Sequence, residues 1–222
     1  MLSIKTKWIK RIILLFLVIF FSYILYLNSL VKSHFSSEIE SNNNVIQIQY
    51  QIEDYPKELI NMLLLVEDQS FFNHNGVDFK EILRVLYGFL FDEKELRGAS
   101  TLTQQLIKNT LLSRDKNVAR KTNEALMAIL LELSYDKNFI LERYMNTVYL
   151  AQQGSSAIHG FASGSFYYFD KDVEDLNLKE MAMLVALLKG PSYYNPVNSH
   201  ERLERRVNMI LAMHKNYKRI FQ

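Results

Sequence analysis

The amino-acid sequence predicts a mainly α domain carried on one N-terminal membrane-spanning helix, and three observations predict it. An apolar run from Ile12 to Leu27, broken only by Ser22, follows a tip that holds Lys5, Lys7, Lys10 and Arg11. Beyond residue 56, apolar side chains recur three and four apart in one stretch after another, the spacing of a buried helix face. Glycine and proline are scarce, and Pro56, Gly76, Gly98, Gly154, Gly190, Pro191 and Pro196 fall between those stretches as caps and turns.

Each element has its own justification. Residues 1–11 are the basic tip, and residues 12–30 approach the ~20 residues that span a bilayer. Basic residues before the span keep the tip in the cytoplasm and place the body outside. A cleaved signal peptide fits less well, because its apolar run is shorter and ends in small residues, whereas the first alanine of this chain is Ala99. Residues 31–49 are assigned as a stalk, polar and without a strong period over 31–44, and a short alternating run, Val45 to Ile52, that crosses into the body is the one credible strand. Residues 50–222 read as a single domain, with helices expected at 57–66, 79–91, 101–112, 117–133, 138–150, 178–189 and 200–213.

Charge and composition exclude several classes. Basic and acidic residues number 26 and 24, so neither a strongly basic nucleic-acid binder nor an acidic disordered chain is expected. The tip takes four of the positive charges and no acid, which leaves a slightly acidic body. The absence of cysteine removes disulfide scaffolding and thiolate chemistry.

Four stretches differ from plain amphipathic helices. In the first, an apolar helix runs into Glu67 and Asp68, then Phe71, His74, Gly76 and Asp78. Carboxylates at the end of an apolar helix are poorly solvated, a setting that suits a general base, although a helix merely entering a loop looks similar. The second, Gly98 to Asn109, crowds Ser100, Thr101, Thr103, Gln104, Gln105, Lys108 and Asn109 into twelve residues, for anion binding at a helix N-terminus or for simple capping. In the third, Arg120, Lys121 and Glu124 share one helical face; the bland account is a surface ion pair of small value. The fourth comprises Glu142 to Gly154 and the aromatic cluster Phe161 to Phe169, which reads mostly as core.

Together with the tail from Gly190 to Pro196, these stretches resemble glycosyltransferase family 51, the peptidoglycan glycosyltransferases, over about residues 50–212. Glu67, Asp68, Phe71, His74, Gly76 and Asp78 meet that family's E-D-x-x-F-x-x-H-x-G-x-D pattern. Gly98, Ser100, Thr101, Thr103, Gln104 and Gln105 meet G-x-S-T-x-T-Q-Q, and Arg120, Lys121 and Glu124 meet R-K-x-x-E. The second half is similar in wording to the glycosyltransferase domain of bifunctional class A penicillin-binding proteins of the 1b type. The resemblance implies a lysozyme-like helical glycosyltransferase fold. It also implies lipid II and the growing glycan as partners, and inverting transfer with release of undecaprenyl pyrophosphate.

The resemblance assigns roles as well. Glu67 is the general base and Glu124 a second carboxylate near the leaving group. Lys108, Lys116 and Lys121, with Arg120 in support, hold pyrophosphate, whose charge grows as the bond breaks. Ser100, Thr101, Gln105 and Asn109 orient sugar and phosphate, while Asp68, Phe71 and His74 shape the site. No cofactor is required, with Mg or Mn as an optional assistant and no metal-ligating residues. The setting implied is the bacterial cytoplasmic membrane, single-pass, with the catalytic domain outside and other cell-wall enzymes nearby. Val85 to Phe91 is either a second membrane contact or buried core.

Three positions depart from the family pattern: Lys116 stands where an arginine is usual, with Arg114 two residues before it, His159 stands for arginine, and Asp170 for glycine. Lysine keeps the charge but loses bidentate phosphate geometry. Ser113 to Lys116 and Ser134 to Lys137 are Ser-x-x-Lys tetrads, but no KTG or SxN partner follows, so covalent penicillin binding is not expected. Asp170 and Asp172 form a D-x-D pair without the strand-helix alternation of a nucleotide-sugar transferase. A lysozyme-like hydrolase and a catalytically silent scaffold are the remaining rivals.

Overall fold

The computed structural model describes residues 2–41, 50–91, 98–113 and 117–221. Its helices are α1 (Leu2–Ser41), α2 (Lys57–Glu67), α3 (Phe79–Phe91), α4 (Leu102–Thr110), α5 (Val118–Ser134), α6 (Lys137–Thr147), α7 (Phe161–Phe169), α8 (Leu178–Leu187) and α9 (His200–Phe221). Two strands, β1 (Tyr149–Gln153) and β2 (Ser156–His159), form an antiparallel hairpin. The mainly α expectation holds, and most expected helices lie within a few residues of their observed bounds.

Helix α1 is unbroken over 40 residues, about 60 Å at 1.5 Å per residue, and is long and apolar enough to cross a membrane. Its surroundings change along its length. Residues 12–21 are exposed and apolar on every side, the pattern of a helix meant for lipid. From Tyr23 onward, residues four apart turn toward the body. Leu27, Val31 and Phe35 are buried, and Tyr23 Oη donates to Asn123 Oδ1 on α5 at 2.7 Å. Phe35 also meets the rings of Tyr135 and Phe139, which stack on each other at 4.4 Å.

The stalk reading is therefore corrected: the chain is helical through Ser41, and Val31 and Phe35 belong to the core. The stripe at positions 27, 31 and 35 straddles the boundary drawn at residue 30, so neither side of that boundary displays it alone. The expected strand is corrected too, where it is described. Residues 45–49 lie outside the described residues, and Ile52–Asp54 form a 3-10 turn. Side chains of α6 hold this segment: Tyr50 N–H donates to Asn146 Oδ1 at 3.2 Å, Asn146 Nδ2 to the Tyr50 carbonyl at 2.8 Å, and Ile52 N–H to Glu142 Oε2 at 3.2 Å.

In the body, α4 packs on α5 and α6, while α2, α8 and α9 pack on one another. One contiguous apolar core runs from Phe35 and Leu131 through Tyr144 and Phe161 to Leu184. Side-chain caps start several helices: Asn117 accepts from Arg120 N–H, Asp136 from Phe139 N–H, and Asn177 from Glu180 N–H. Helix α6 stops at Thr147, short of the expected Leu150, and the chain enters the hairpin. Gly160 permits this, with φ +83 and so little room that a Cβ would lie 2.6 Å from the Asn146 carbonyl oxygen.

Helix α3 turns apolar side chains outward. Phe79, Leu83, Leu86 and Tyr87 are all at least half exposed, so the buried-core alternative fails at Leu86 and Tyr87, while the side chains of 89–91 lie outside the described residues.

Replacing Phe35 with alanine should cost about 3–5 kcal/mol, whereas Phe16→Ala, in the lipid-facing stretch, should leave the body's stability almost unchanged. Denaturant unfolding of the full chain in detergent checks the contrast.

Candidate active site

The site is built where α2 ends and α4 begins. At the end of α2 two adjacent carboxylates part company. Glu67 faces outward with its side chain 17% exposed, while Asp68 turns inward and is 3% exposed at its side chain. Asp68 Oδ2 accepts the N–H of Leu102 at 2.9 Å and lies 3.0 Å from His74 Nε2. Leu102 is the first residue of α4, whose opening N–H groups have no partner within the helix. A buried anion there also sits at the positive end of the helix dipole.

Thr101 completes the junction. Its hydroxyl donates to the Gly76 carbonyl at 2.6 Å and accepts the Gln104 N–H at 3.1 Å, and Gln104 Oε1 accepts the Thr101 N–H in return. Gly76 lies so close to α5, at φ +86, that a Cβ would sit 2.5 Å from the Ala128 carbonyl oxygen. His74 Nδ1 points toward Glu132 at 3.8 Å, and Glu132 also takes Thr103 Oγ1 at 2.5 Å and Lys137 Nζ at 2.6 Å.

One turn into α4, Gln105 Nε2 donates to Glu67 Oε2 at 3.1 Å, and Arg206 of α9 brings Nη2 to 3.8 Å from Glu67 Oε1. Both oxygens of the carboxylate therefore face a donor. Arg206 is itself held by Nε donating to the Ala186 carbonyl at 3.2 Å. Glu67 opens into a cleft of about 700 Å³. The end of α2 and the turn through Ser70 form one wall, and Asp78, Glu81 and Arg84 form a second. Gly98 to Thr101 with Gln105 and Lys108 form a third, and Lys189, Arg206, Met209 and Met213 a fourth.

Glu124 differs from Glu67 in kind. It is 1% exposed and does not line the cleft. Arg120 Nη1 donates to Glu124 Oε2 at 3.1 Å, and Lys121 Nζ donates to Glu124 Oε1. Lys121 reaches the cleft through its second contact, Ser100 Oγ at 2.9 Å. The surface-pair account of this cluster is corrected, since a buried carboxylate without these cations would be strongly unfavourable.

The structure thus gathers Glu67, Asp68, Ser100, Thr101, Gln105 and Lys108 on one cleft, with Arg120, Lys121 and Glu124 joined to it by Ser100. Phe71 and His74 are buried behind the wall rather than on it, with Lys137 Nζ 4.4 Å above the Phe71 ring. Thr101 faces the cleft but its hydroxyl is engaged in the junction. Asn109 is exposed outside the cleft, and Lys116 lies outside the described residues. Among the departures, Asp170 takes the left-handed conformation after α7, at φ 54, where glycine is easiest and aspartate is tolerated. His159 Nδ1 donates to the Thr147 carbonyl at 2.9 Å.

Sequence reasoning missed Arg206, Lys189, Arg84, Met209 and Met213. Nothing in the amphipathic pattern of α9 marks Arg206 apart from its neighbour Arg205; only the packing of α9 on α2 brings it to Glu67. Among the described residues no three His, Asp or Glu side chains converge as a resident metal site requires. Asp172 instead accepts from Tyr50 Oη at 2.8 Å.

Asp68→Ala should cost about 3–5 kcal/mol, the cost of breaking a buried charged contact, measurable by urea unfolding. Ser70, donating to Asp78, and the Glu81 N–H hold the Asp78 carboxyl below its ordinary 3.8. A lowered folded value means stability that is present above the ordinary value and lost as pH falls through the lowered one. Asp78→Asn should therefore flatten the loss of stability below about pH 4, read from unfolding midpoints across that range.

Residues 33–215 match the family model described as Transglycosylase, a domain that is mainly α and lysozyme-like, as the motifs imply. The chain is 43% identical over 180 residues to penicillin-binding protein 1B of Haemophilus influenzae, covering 81% of this chain and 23% of that protein. It is 41% identical over 175 residues to penicillin-binding protein 1B of Escherichia coli, covering 79% and 21%. Penicillin-binding protein 1F of Bacillus subtilis is 33% identical over 228 residues, covering 94% and 31%. The chain spans less than a third of the length of these relatives. With the match running from within α1 to the later turns of α9, this chain belongs to the transglycosylase family.

Proposed function

We propose that this domain is a peptidoglycan glycosyltransferase that polymerises lipid II into glycan strands, inverting the anomeric carbon and releasing undecaprenyl pyrophosphate. The observation that carries the proposal is the division of labour between the two acids. Glu67 opens into the cleft, and Glu124 is buried under Arg120 and Lys121.

In the reaction, the 4-hydroxyl of the acceptor sugar gives its proton to Glu67 as its oxygen bonds to the anomeric carbon of the donor. The bond from that carbon to pyrophosphate breaks, and the electron pair leaves with the phosphate oxygen. Gln105 and Arg206 hold the Glu67 carboxylate in place. Lys121 at Ser100, with Lys108 on the cleft wall and Arg120 beside Lys121, meets the growing charge. Glu124 acts through Lys121 and Arg120 and does not touch substrate. A Mg or Mn ion assisting the reaction would be held by the substrate's phosphates.

The hydrolase reading is weaker on one specific point. A glycosidase needs a second carboxyl group free to protonate the leaving sugar oxygen, whereas Glu124 is ion-paired, Asp78 is held by Ser70 and the Glu81 N–H, and Glu81 pairs with Arg84. A pyrophosphate leaves as an anion and needs no such proton. The apolar face of α3 and the anchor α1 suit a substrate whose polyprenyl tail stays in the bilayer. We place the basic tip in the cytoplasm and the cleft at the outer surface of the bacterial cytoplasmic membrane.

The full chain should convert purified lipid II into long glycan, and Glu67→Gln should lower the rate by about 10²–10⁴-fold with unfolding behaviour kept. Shortening of finished strands without consumption of lipid II would favour the hydrolase. No polymerisation by either protein would favour the silent scaffold.

A further inference from the structure

Tyr144 lies behind the cleft on α6, 1% exposed and surrounded by the apolar core. Its hydroxyl meets Gln105 Oε1 at 3.0 Å, and the other end of the same amide, Nε2, donates to Glu67 Oε2 at 3.1 Å. The three side chains come from three different helices and form one line from the core to the cleft.

A glutamine amide has an accepting end and a donating end of nearly the same shape. Turned around, Gln105 would set its carbonyl oxygen against the Glu67 carboxylate, oxygen facing oxygen. A tyrosine hydroxyl that donates to the carbonyl end removes this ambiguity. Burial first, and the charge of Glu67 second, push the Tyr144 hydroxyl well above its ordinary 10. It therefore stays a protonated donor throughout the range in which a carboxylate base works.

We propose that Tyr144 is a positioning residue for the transfer reaction: from inside the core it fixes which end of the Gln105 amide faces Glu67, and so holds the base charged and aimed into the cleft. The proposal rests on the reading of Glu67 as the base. It assigns Gln105 to the base as well as to substrate orientation. Other charged groups around the cleft share the electrostatics of Glu67 without ordering the amide: Arg206 from α9 at 3.8 Å, Lys108 from α4, Asp68 next to it in the chain, and Asp78, Glu81, Arg84 and Lys189 on the other walls.

Tyr144→Phe tests this in the full chain with purified lipid II, because it keeps the ring and removes only the hydroxyl. KM should stay within about twofold, while kcat at neutral pH falls about tenfold and the acidic limb of the pH–rate profile moves up by about one unit. Gln105→Met, which removes the amide without opening the core, should move the limb in the same direction. Adding Tyr144→Phe to Gln105→Met should cost no more than about a further twofold, since the hydroxyl then has nothing to orient.

An unmoved acidic limb in Gln105→Met or in a folded Tyr144→Phe overturns the proposal, as does a double variant whose losses multiply. An inactive Glu67→Gln beside an unmoved limb sinks only the role of Tyr144. A Glu67→Gln variant that still polymerises removes the base itself, and the proposal with it.

Discussion

The contact between Asp68 and the first N–H of α4 is the constraint on which the rest of the site depends. One buried carboxylate ends α2, caps α4 and takes the ring of His74. With Asp68 turned inward, its neighbour Glu67 is left facing out, and the first full turn of α4 brings Gln105 beside it. Ser100 and Thr101 lead into the same junction, so the wall that meets Lys121 is set by the same contact. Behind Asp68 the polar chain continues through His74 to Glu132, Thr103 and Lys137, tying α2, α4, α5 and α6 into one electrostatic unit. Such a network in a low-dielectric interior is favourable only when its members are satisfied together.

The two acids that the motifs offer as a pair are not chemically alike. Glu67 keeps access to the cleft, with Gln105 and Arg206 beside it. Glu124 has surrendered both oxygens to cations and serves to hold them. Identity and spacing cannot distinguish these states, since a glutamate four residues from an arginine is exposed on one helix and buried on another. Burial by α4 packing on α5 decides it, and that is a tertiary property.

Much of the fold was legible because amphipathic spacing and sparse Gly and Pro act locally. Most helices were found within a few residues, and the motifs located the cleft through Glu67, Ser100, Gln105 and Lys108. What was missed depends on contacts between distant segments. The stripe through Leu27, Val31 and Phe35 is invisible once anchor and stalk are read apart. The end of α6 at Thr147 needs Gly160 pressed against Asn146. Thr101 and His74 carry residue types suited to substrate yet are spent on the junction, and Arg206 acquires meaning only through α9 lying on α2. Tyr144 has the opposite history: it reads as core and is core, with its hydroxyl turned toward the site.

The unbroken course of α1 from the lipid-facing run into the packed body has a mechanical consequence. No swivel separates membrane from catalyst along this helix, so the cleft's tilt and compass bearing against the bilayer normal are set by the helix itself. On the proposed function, substrate search would become a two-dimensional problem in which lipid-linked partners diffusing in the leaflet approach one fixed azimuth. A glycan made in such a cleft would leave along a constant direction, and the whole domain would turn only as far as the anchor does.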